Sequence, residues 1–241
     1  SQSYLKNLGG GDWDSIETLR DNPGFPGESV FEDSSAGDGG ELDQLRFFDY
    51  DNDKRIDLLF INETSTQIYR TLADGGVEAV VGVDAVGESF GGGFEAGLQL
   101  TDVNGDGLQD LVKVEIGAIV YRLYKGYGRW APVVRTPVPA VTMDLRDSVQ
   151  LEDMNGDGLT DLVLVYDGEL KYSLNQNGSA FTDWVTISEV GGVRLPQVTE
   201  STVLYADMNG NGSVDIVWIT SMGDAQYLEL FPERPNLLSE I

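Results

Sequence analysis

The sequence contains no cysteine and no histidine, and each absence excludes a class of chemistry. Without cysteine there are no disulfides, no thiol nucleophiles and no thiolate metal ligands. Without histidine, the chain lacks the Ser-His-Asp and Cys-His pairs of hydrolytic enzymes and the usual zinc ligand sets. We therefore expect a protein that is not an enzyme, with no catalytic residues and no organic cofactor.

Basic residues are also scarce: 15 stand against 41 acidic residues, which gives a formal net charge of −26. A field of this sign repels phosphate, so nucleic acid and anionic membranes are poor partners, whereas cations and basic protein surfaces are favoured. No apolar run reaches the roughly 18 residues that a membrane span needs. The N-terminus is not typical of a signal peptide, so we expect a removed leader or an excerpt of a longer chain.

An acidic motif recurs four times along the chain. Its first aspartates fall at positions 49, 102, 153 and 207, so the repeat periods are 53, 51 and 54 residues. Oxygen-bearing side chains occupy offsets 1, 3, 5 and 9 of each copy, and an alternating apolar run follows, as in TDVNGDGLQDLVKV at 101–114. Self-similarity at a fixed period of this length is typical of repeat architectures.

The offsets match the first part of a calcium loop, in which side-chain oxygens alternate with a backbone carbonyl at position 7. Glycine at position 6 permits the sharp turn in three copies, whereas the first copy has Lys54 there. The candidate Ca²⁺ ligands, including the position-7 carbonyls, are Asp49, Asp51, Asp53, Arg55 and Asp57 in loop one; Asp102, Asn104, Asp106, Leu108 and Asp110 in loop two; Asp153, Asn155, Asp157, Leu159 and Asp161 in loop three; and Asp207, Asn209, Asn211, Ser213 and Asp215 in loop four.

The same residues can instead form Asx-turns, in which Asp and Asn side chains bond their own backbone. Four in-register copies, each with aspartate at position 9, favour calcium. Loops two and three have three carboxylates each, loop one has four beside the basic Lys54–Arg55 pair, and loop four has only Asp207 and Asp215. We therefore expect loop four to bind calcium most weakly, and the metal to be a structural staple.

Short apolar segments lie on both sides of each acidic loop, and turn residues separate them from a third and a fourth segment. In the second repeat, the strands are predicted at 98–100, around 111–114, at 118–126 and at RWAPVV, 129–134. Four short strands form one antiparallel sheet, which cannot cover its own faces, and radial stacking of such sheets is a β-propeller. The predicted fold class is all-β, a propeller of four-stranded antiparallel blades with the acidic loops between the first two strands; a sandwich is the alternative.

The predicted propeller domain covers 41–241, with blades at about 41–95, 96–146, 147–199 and 200–241. Residues 1–40 are rich in glycine, proline and acids, which indicates an irregular segment or a degenerate fifth blade. One short helix is expected at 12–20. The aromatics Tyr124, Tyr127 and Trp130 in YKGYGRW can be exposed and stack on a sugar or protein, or can pack between blades, which is the favoured interpretation.

The four loops resemble the FG-GAP or VCBS repeat of integrin α-subunit propellers and of many bacterial exported proteins. The last repeat, YADMNGNGSVDIVWI running into YLELFPERPNLLSEI, and LVLVYDGELKYSLNQNGSAF in the third are similar to the propeller of the B component of insecticidal toxin complexes. That resemblance implies a secreted or extracellular bacterial toxin subunit whose propeller docks on a pore-forming A component and gates passage of the toxic polypeptide.

Two functions from different classes follow as hypotheses. The first is a non-catalytic calcium-binding propeller that docks on another protein, a pore-forming toxin subunit, as part of a toxin complex. The second is a secreted adhesion or lectin-like propeller that binds glycans or a host receptor.

Overall fold

The structure of the protein is a computed structural model. It describes residues 45–93, 97–140, 148–166, 168–198 and 201–231, together with the backbone of the strands at 3–4, 7–9, 12–13, 17–18 and 239–240. The chain forms two compact units, the first comprising Ser1–Leu98 with Tyr124–Ala131 and the second comprising Gln99–Leu123 with Pro132–Ile241. In these described parts, no helix is long and apolar enough to cross a bilayer.

Near the N-terminus the described backbone forms two small strand pairs. The strands are β1 (Ser3–Tyr4), β2 (Asn7–Gly9), β3 (Asp12–Trp13) and β4 (Glu17–Thr18). Strand β1 pairs antiparallel with β4, and β2 pairs antiparallel with β3. The helix expected at 12–20 is therefore wrong, because antiparallel pairing with β1 and β2 satisfies backbone groups that a helix would bond locally. The rest of the segment at 1–40, irregular or a degenerate blade in the sequence interpretation, lies outside the described residues.

Four four-stranded antiparallel sheets follow, one for each acidic repeat, and we call them blades one to four. Blade one contains β5 (Leu45–Phe48), β6 (Asp57–Ile61), β7 (Thr66–Thr71) and β8 (Val77–Ala79), and a 3-10 helix (Gly87–Phe90) comes after it. Blade two contains β9 (Leu98–Thr101), β10 (Asp110–Glu115), β11 (Ala118–Arg122) and β12 (Val134–Pro137).

Blade three contains β13 (Gln150–Glu152), β14 (Asp161–Tyr166), β15 (Glu169–Ser173), a hairpin of β16 (Asn175–Gln176) and β17 (Ala180–Phe181), and β18 (Val185–Ile187). A second hairpin, β19 (Glu189–Val190) with β20 (Val193–Arg194), leads to blade four. Blade four contains β21 (Ser201–Ala206), β22 (Asp215–Thr220), β23 (Ala225–Leu228) and β24 (Ser239–Glu240). The prediction of an all-β propeller built from four-stranded antiparallel blades is confirmed.

The second strand of a blade is covered on both faces, which explains its nearly continuous apolar sequence. In β14, Leu162 packs with Val112 and other blade-two residues, whereas the adjacent Val163 packs with Ile216 and Trp218 of blade four. Successive side chains of a strand point to opposite faces, so one strand contributes to two cores. Complete burial of one such side chain contributes about 1.5–3 kcal/mol, and these two cores join the blades of the second unit.

The fourth strand of blade two lies later than expected. The predicted strand at 129–134 is wrong, since β12 begins at Val134, where it pairs with Tyr121. Residues 124–131 instead form a loop that belongs to the first compact unit, closed by a bridge between Tyr124 and Trp130. The loop leaves the blade because Tyr124 packs on Phe48, with ring centroids 5.7 Å apart, and is only 1% exposed.

Candidate metal centre

Each acidic loop connects the first and second strands of its blade, and its backbone turns through left-handed conformations at positions 4 and 6. In loop two these positions are Gly105 (φ 74°) and Gly107 (φ 83°), where glycine has no steric penalty. Loop one has Asn52 (φ 61°) and Lys54 (φ 68°) at the equivalent positions. The backbone of loop one therefore follows the same turn without glycine.

The first aspartate of each loop accepts hydrogen bonds from the turn that follows it. The Asp153 carboxylate accepts the N–H of Gly156 at 2.8 Å and that of Gly158 at 2.9 Å. Asp102 and Asp207 accept the equivalent N–H groups at 2.7–2.9 Å. In loop four these bonds, above all the bond from Gly212, lower the pKa of Asp207. This arrangement is that of an Asx-turn and fixes the carboxylate whether or not a cation is bound.

The closing aspartates at position 9 are fully buried: Asp57, Asp110, Asp161 and Asp215 are each 0% exposed. One oxygen of each accepts the N–H of position 2, at 2.7–3.1 Å, from Tyr50, Val103, Met154 and Met208. In loops one and three the other oxygen accepts the N–H of Thr71 or Asn175, both at 2.7 Å. Each closing carboxylate therefore ties its loop to its own blade and is shielded from solvent.

Burial makes these carboxylates difficult to ionise in the absence of a cation. Desolvation raises the pKa of Asp161 to about 7, against the opposing hydrogen bonds from Asn175 and Met154, and the nearby Asp157 and Asp153 charges raise it further. Desolvation also raises the pKa of Asp57 and of Asp215. A divalent cation bound among the carboxylates would stabilise their charged forms.

Loop one brings three carboxylates together. Oxygens of Asp49, Asp51 and Asp57 lie within 4.8 Å of one another. The Asp51 side chain is only 7% exposed, and its Oδ1 atom is buried without a hydrogen-bond partner. An oxygen cluster with an unpaired buried lone pair is the donor set that a hard cation such as Ca²⁺ takes, so the positions of the ligands fit calcium.

The four loops differ in the charged residues around them. Two of these residues, Arg70 and Glu229, lie outside the loop motif. The Arg70 guanidinium on β7 lies 2.7 Å from Asp51 Oδ2 and 3.8 Å from Asp53 Oδ2. In loop four, Asn211 Nδ2 donates a hydrogen bond to Glu229 Oε1 at 2.7 Å. Both residues lie near the end of the third strand of their blade. A charged residue at this place in the sequence is the signal that could have identified them.

Loops two, three and four lie side by side. The Thr160 hydroxyl at position 8 of loop three donates to the Asp102 carbonyl oxygen at 2.5 Å, and the Val214 N–H at position 8 of loop four donates to the Asp153 carbonyl oxygen at 2.9 Å. A side chain at Gly105 would approach the Gly158 carbonyl oxygen to 3.3 Å. Position 8 of one loop therefore binds position 1 of the preceding loop.

The aromatic cluster belongs mostly to the core of the first unit. Tyr124 and Trp130 are 1% and 6% exposed, so the interpretation that they are exposed is wrong for these two residues. They pack on each other with ring centroids 4.9 Å apart. Tyr127 differs, since it is 67% exposed and its ring makes an edge contact with Tyr50 at 5.8 Å. The loop thus presents one tyrosine to solvent on a buried aromatic base.

The repeats in the sequence are of a known type. The FG-GAP-like repeat matches residues 49–113 and 153–218, which is more than half of the 241 residues. The chain belongs to the FG-GAP-like repeat family. Among curated proteins, none matches the sequence.

Solved structures of toxin-complex proteins and of a lectin are similar to this chain. The Photorhabdus luminescens Tc holotoxin pore with a mutated TccC3 aligns with 98% of this chain and 11% of its own, at 20% identity and a TM-score of 0.67. An Agrocybe aegerita lectin that recognises non-reducing terminal N-acetylglucosamine aligns with 99% of this chain and 59% of its own, at 16% identity and a TM-score of 0.63. TcdB2-TccC3 has 26% identity over 59% of this chain and 7% of its own, with a TM-score of 0.49. The FG-GAP-like chain thus spans a small part of the toxin chains, and the first two likenesses show its fold.

Proposed function

We propose that this chain is a non-catalytic, calcium-stabilised propeller module that docks on another protein in a bacterial toxin complex, with a pore-forming subunit as the partner. The observation that carries the proposal is the position of the closing aspartates, which are 0% exposed and accept backbone N–H groups of their own blades. Carboxylates used in this way support a rigid scaffold and are inaccessible for the paired acid–base chemistry of glycoside hydrolysis.

Calcium in this proposal is bound by the side chains at positions 1, 3, 5 and 9 and by the position-7 carbonyl of a loop. The chemistry that the ion supplies is neutralisation of the clustered carboxylates, including the buried Oδ1 atom of Asp215, which has no hydrogen-bond partner. Sites of extracellular modules bind calcium with dissociation constants of about 10⁻⁴–10⁻³ M, so millimolar extracellular calcium would fill them. We therefore propose that the module acts outside the cell, as a secreted protein.

Tyr127 supports a docking role for the first unit. Its ring is 67% exposed, and its backbone is fixed because its N–H donates to the Tyr50 carbonyl oxygen at 3.2 Å. Tyrosines presented on a rigid base are frequent anchors of protein interfaces, since little side-chain entropy is lost on binding. The acidic surface also favours a basic partner surface.

The test of docking uses the purified chain and a pore-forming A component immobilised on a biosensor. We expect calcium-dependent binding that weakens with salt, and Tyr127→Ala should weaken it at least tenfold without changing the melting temperature. Val81→Ala, at a residue that is 92% exposed in the same unit, is the matched control. Equal binding of wild type and Tyr127→Ala would contradict the assignment of this anchor, and absence of binding would contradict docking.

A glycan-binding role is the alternative, favoured by an open cavity of about 660 Å³ in the first unit. Two glutamates and two hydroxyl side chains line it: Glu63, Glu88, Thr64 and Ser89. Carboxylates and hydroxyls arranged around a shallow cavity are suited to sugar hydroxyl groups. A glycan array that includes terminal N-acetylglucosamine tests this role, and binding that Glu88→Gln removes would support it over protein docking.

A further inference from the structure

One structural position near the end of the third strand differs in charge between the four blades. Strand pairing defines this position. The first residue after each closing aspartate pairs with a residue of the third strand, and the position is the next residue along the chain after that partner. We call it the strand-end position, and its occupants are Arg70, Leu123, Leu174 and Glu229. Leu123 and Leu174 pack against the apolar cores of blades two and three, so only loops one and four receive a charge from it.

We propose that the strand-end position sets the cation affinity of each loop: Glu229 supplies the missing third carboxylate of loop four, and Arg70 supplies an internal cation to loop one. This inference rests on the proposed calcium binding and names residues outside the repeat motif as its determinants.

Loop four has no carboxylate at position 5, and Glu229 lies next to the asparagine that occupies this position. In loops two and three, position 5 is an aspartate whose Oδ2 accepts the Nδ2 of the position-3 asparagine, as Asp106 does from Asn104 at 3.0 Å. Position 5 of loop four is Asn211, and its Nδ2 donates instead to Glu229 Oε1 at 2.7 Å. With Glu229, loop four has three carboxylates, as loops two and three have.

A second feature of loop four points to a cation. Asp215 is 0% exposed, and its Oδ1 atom is buried without a hydrogen-bond partner. The equivalent oxygen of Asp57 accepts the Thr71 N–H, and that of Asp161 accepts the Asn175 N–H. A fully buried carboxylate oxygen without a donor, with the charges of Asp207 and Glu229 near it, is a position that a bound cation would stabilise.

Loop one has the converse arrangement. Arg70 lies 2.7 Å from Asp51 Oδ2, and Arg55 forms a further ion pair with Asp53. Together with Lys54, whose ammonium group donates to Asn52 Oδ1, these side chains place three cationic groups beside the four carboxylates of the loop. The ligand oxygens converge as they would around calcium, but a guanidinium next to Asp51 repels a divalent ion. Because these cations already stabilise the loop-one carboxylates, loop one depends less on metal than loop four does, and the weakest calcium site is loop one rather than loop four.

The test is calcium titration calorimetry on the full chain, with terbium luminescence as a second probe of site number. We expect three calcium ions per wild-type chain. Glu229→Gln should weaken one site at least tenfold, and Arg70→Leu, which places the residue type of blades two and three in blade one, should add a fourth site. Arg70→Lys keeps the charge and should add none.

Matched controls come from exposed ion pairs away from the loops: Glu169→Gln, next to Lys171, and Arg135→Gln, next to Glu115. Neither should change the number of sites.

Melting in excess chelator verifies that each variant is folded, and terbium titration of Arg70→Lys keeps the test of loop one possible if Arg70→Leu does not fold. A wild type that binds no calcium contradicts the proposed function itself. Four wild-type sites, or sites that Glu229→Gln and Arg70→Leu leave unchanged, overturn this inference alone.

Discussion

The Asn175 side-chain amide in blade three donates a hydrogen bond to the Val103 carbonyl oxygen in loop two, at 2.9 Å. The same Nδ2 atom donates to the Thr160 carbonyl oxygen at 3.0 Å, and Oδ1 accepts the Gly178 N–H at 2.8 Å. Asn175 is only 4% exposed, and both hydrogens of its side-chain nitrogen are used in these bonds. One buried amide therefore joins loop two, loop three and the β16–β17 hairpin.

Replacement of this amide should be costly. Asn175→Ala leaves two carbonyl oxygens and one N–H without their partners, and each buried unsatisfied group costs about 1–3 kcal/mol unless water replaces the partner. We expect the free energy of unfolding to fall by about 2–4 kcal/mol in urea denaturation. Gln176→Ala, at the exposed neighbouring side chain, should change it by less than about 0.5 kcal/mol. Equal stability of the two variants would show that the amide bonds are not important for stability.

The repeat period was sufficient to predict the blades, because each acidic loop and its flanking strands are local in sequence. Burial of the aromatic cluster was the favoured interpretation, but the partners that bury it were not predictable in the same way. Tyr124 is buried by Phe48 and bonded to Tyr50, which lie more than seventy residues earlier in the chain. No pattern within YKGYGRW distinguishes that long-range contact from a surface strand, so the fourth strand of blade two was placed too early.

The Tyr124 hydroxyl provides a sharp comparison with Tyr127. It donates to the Tyr50 carbonyl oxygen at 2.7 Å and accepts the Gly128 N–H at 2.9 Å. Tyr124→Phe should therefore lower the free energy of unfolding by about 1–3 kcal/mol, since the buried Gly128 N–H loses its partner and the Tyr50 carbonyl oxygen keeps only the Tyr127 N–H. Tyr127→Phe, at an exposed ring, should change it by less than about 0.5 kcal/mol. Thermal melting of the two variants is the measurement, and an unchanged midpoint for Tyr124→Phe would contradict the role of this hydroxyl.

The charges around the loops show the second limit of the sequence. The motif identifies candidate ligands at positions 1 to 9, but Arg70 lies in the third strand of blade one and Glu229 directly after the third strand of blade four, and the register of these strands comes from the structure. Counting carboxylates within the motif ranks loop four as the weakest site, and including the third strand moves loop one to that rank.

Gly87 offers a test of close packing in the first unit. A methyl group there would lie 1.8 Å from the Asn62 carbonyl oxygen and 2.8 Å from its carbon, so the backbone would have to move. We expect Gly87→Ala to lower the free energy of unfolding by at least about 1–3 kcal/mol, as overpacked sites do. Gly76→Ala is the control, because its methyl group would meet side-chain atoms and no backbone, the nearest being Asp74 Oδ1 at 3.2 Å and a Leu72 methyl at 3.5 Å. Circular dichroism during urea unfolding distinguishes the two, and a tolerated Gly87→Ala would show that this segment can separate from the 62–65 turn.

Substitutions of the closing aspartates, compared with and without calcium, distinguish the stability that calcium contributes from the stability that the turn contributes. In excess chelator, Asp161→Ala should cost more than Asp215→Ala, because both Asp161 oxygens accept backbone N–H groups whereas Asp215 Oδ1 has no partner. In calcium, each variant should lose a further increment, since a ligand that binds only the folded state stabilises it by about 0.4–1.4 kcal/mol per site at about 1 mM calcium and a Kd of about 10⁻³–10⁻⁴ M. Asp183→Ala, at an exposed aspartate of blade three outside the loops, is the control and should lose nothing in either buffer.

The readout is the difference between the melting temperatures in millimolar calcium and in chelator, measured for each variant. A large difference in wild type that shrinks in Asp161→Ala and Asp215→Ala, and is unchanged in Asp183→Ala, identifies calcium bound at the closing positions. The Asx-turn interpretation makes a different prediction: the hydrogen bonds of Asp153 with Gly156 and Gly158 would suffice, and chelation would not move the wild-type midpoint. Because those bonds are independent of metal, a midpoint unchanged by chelation would decide for the turn and against calcium.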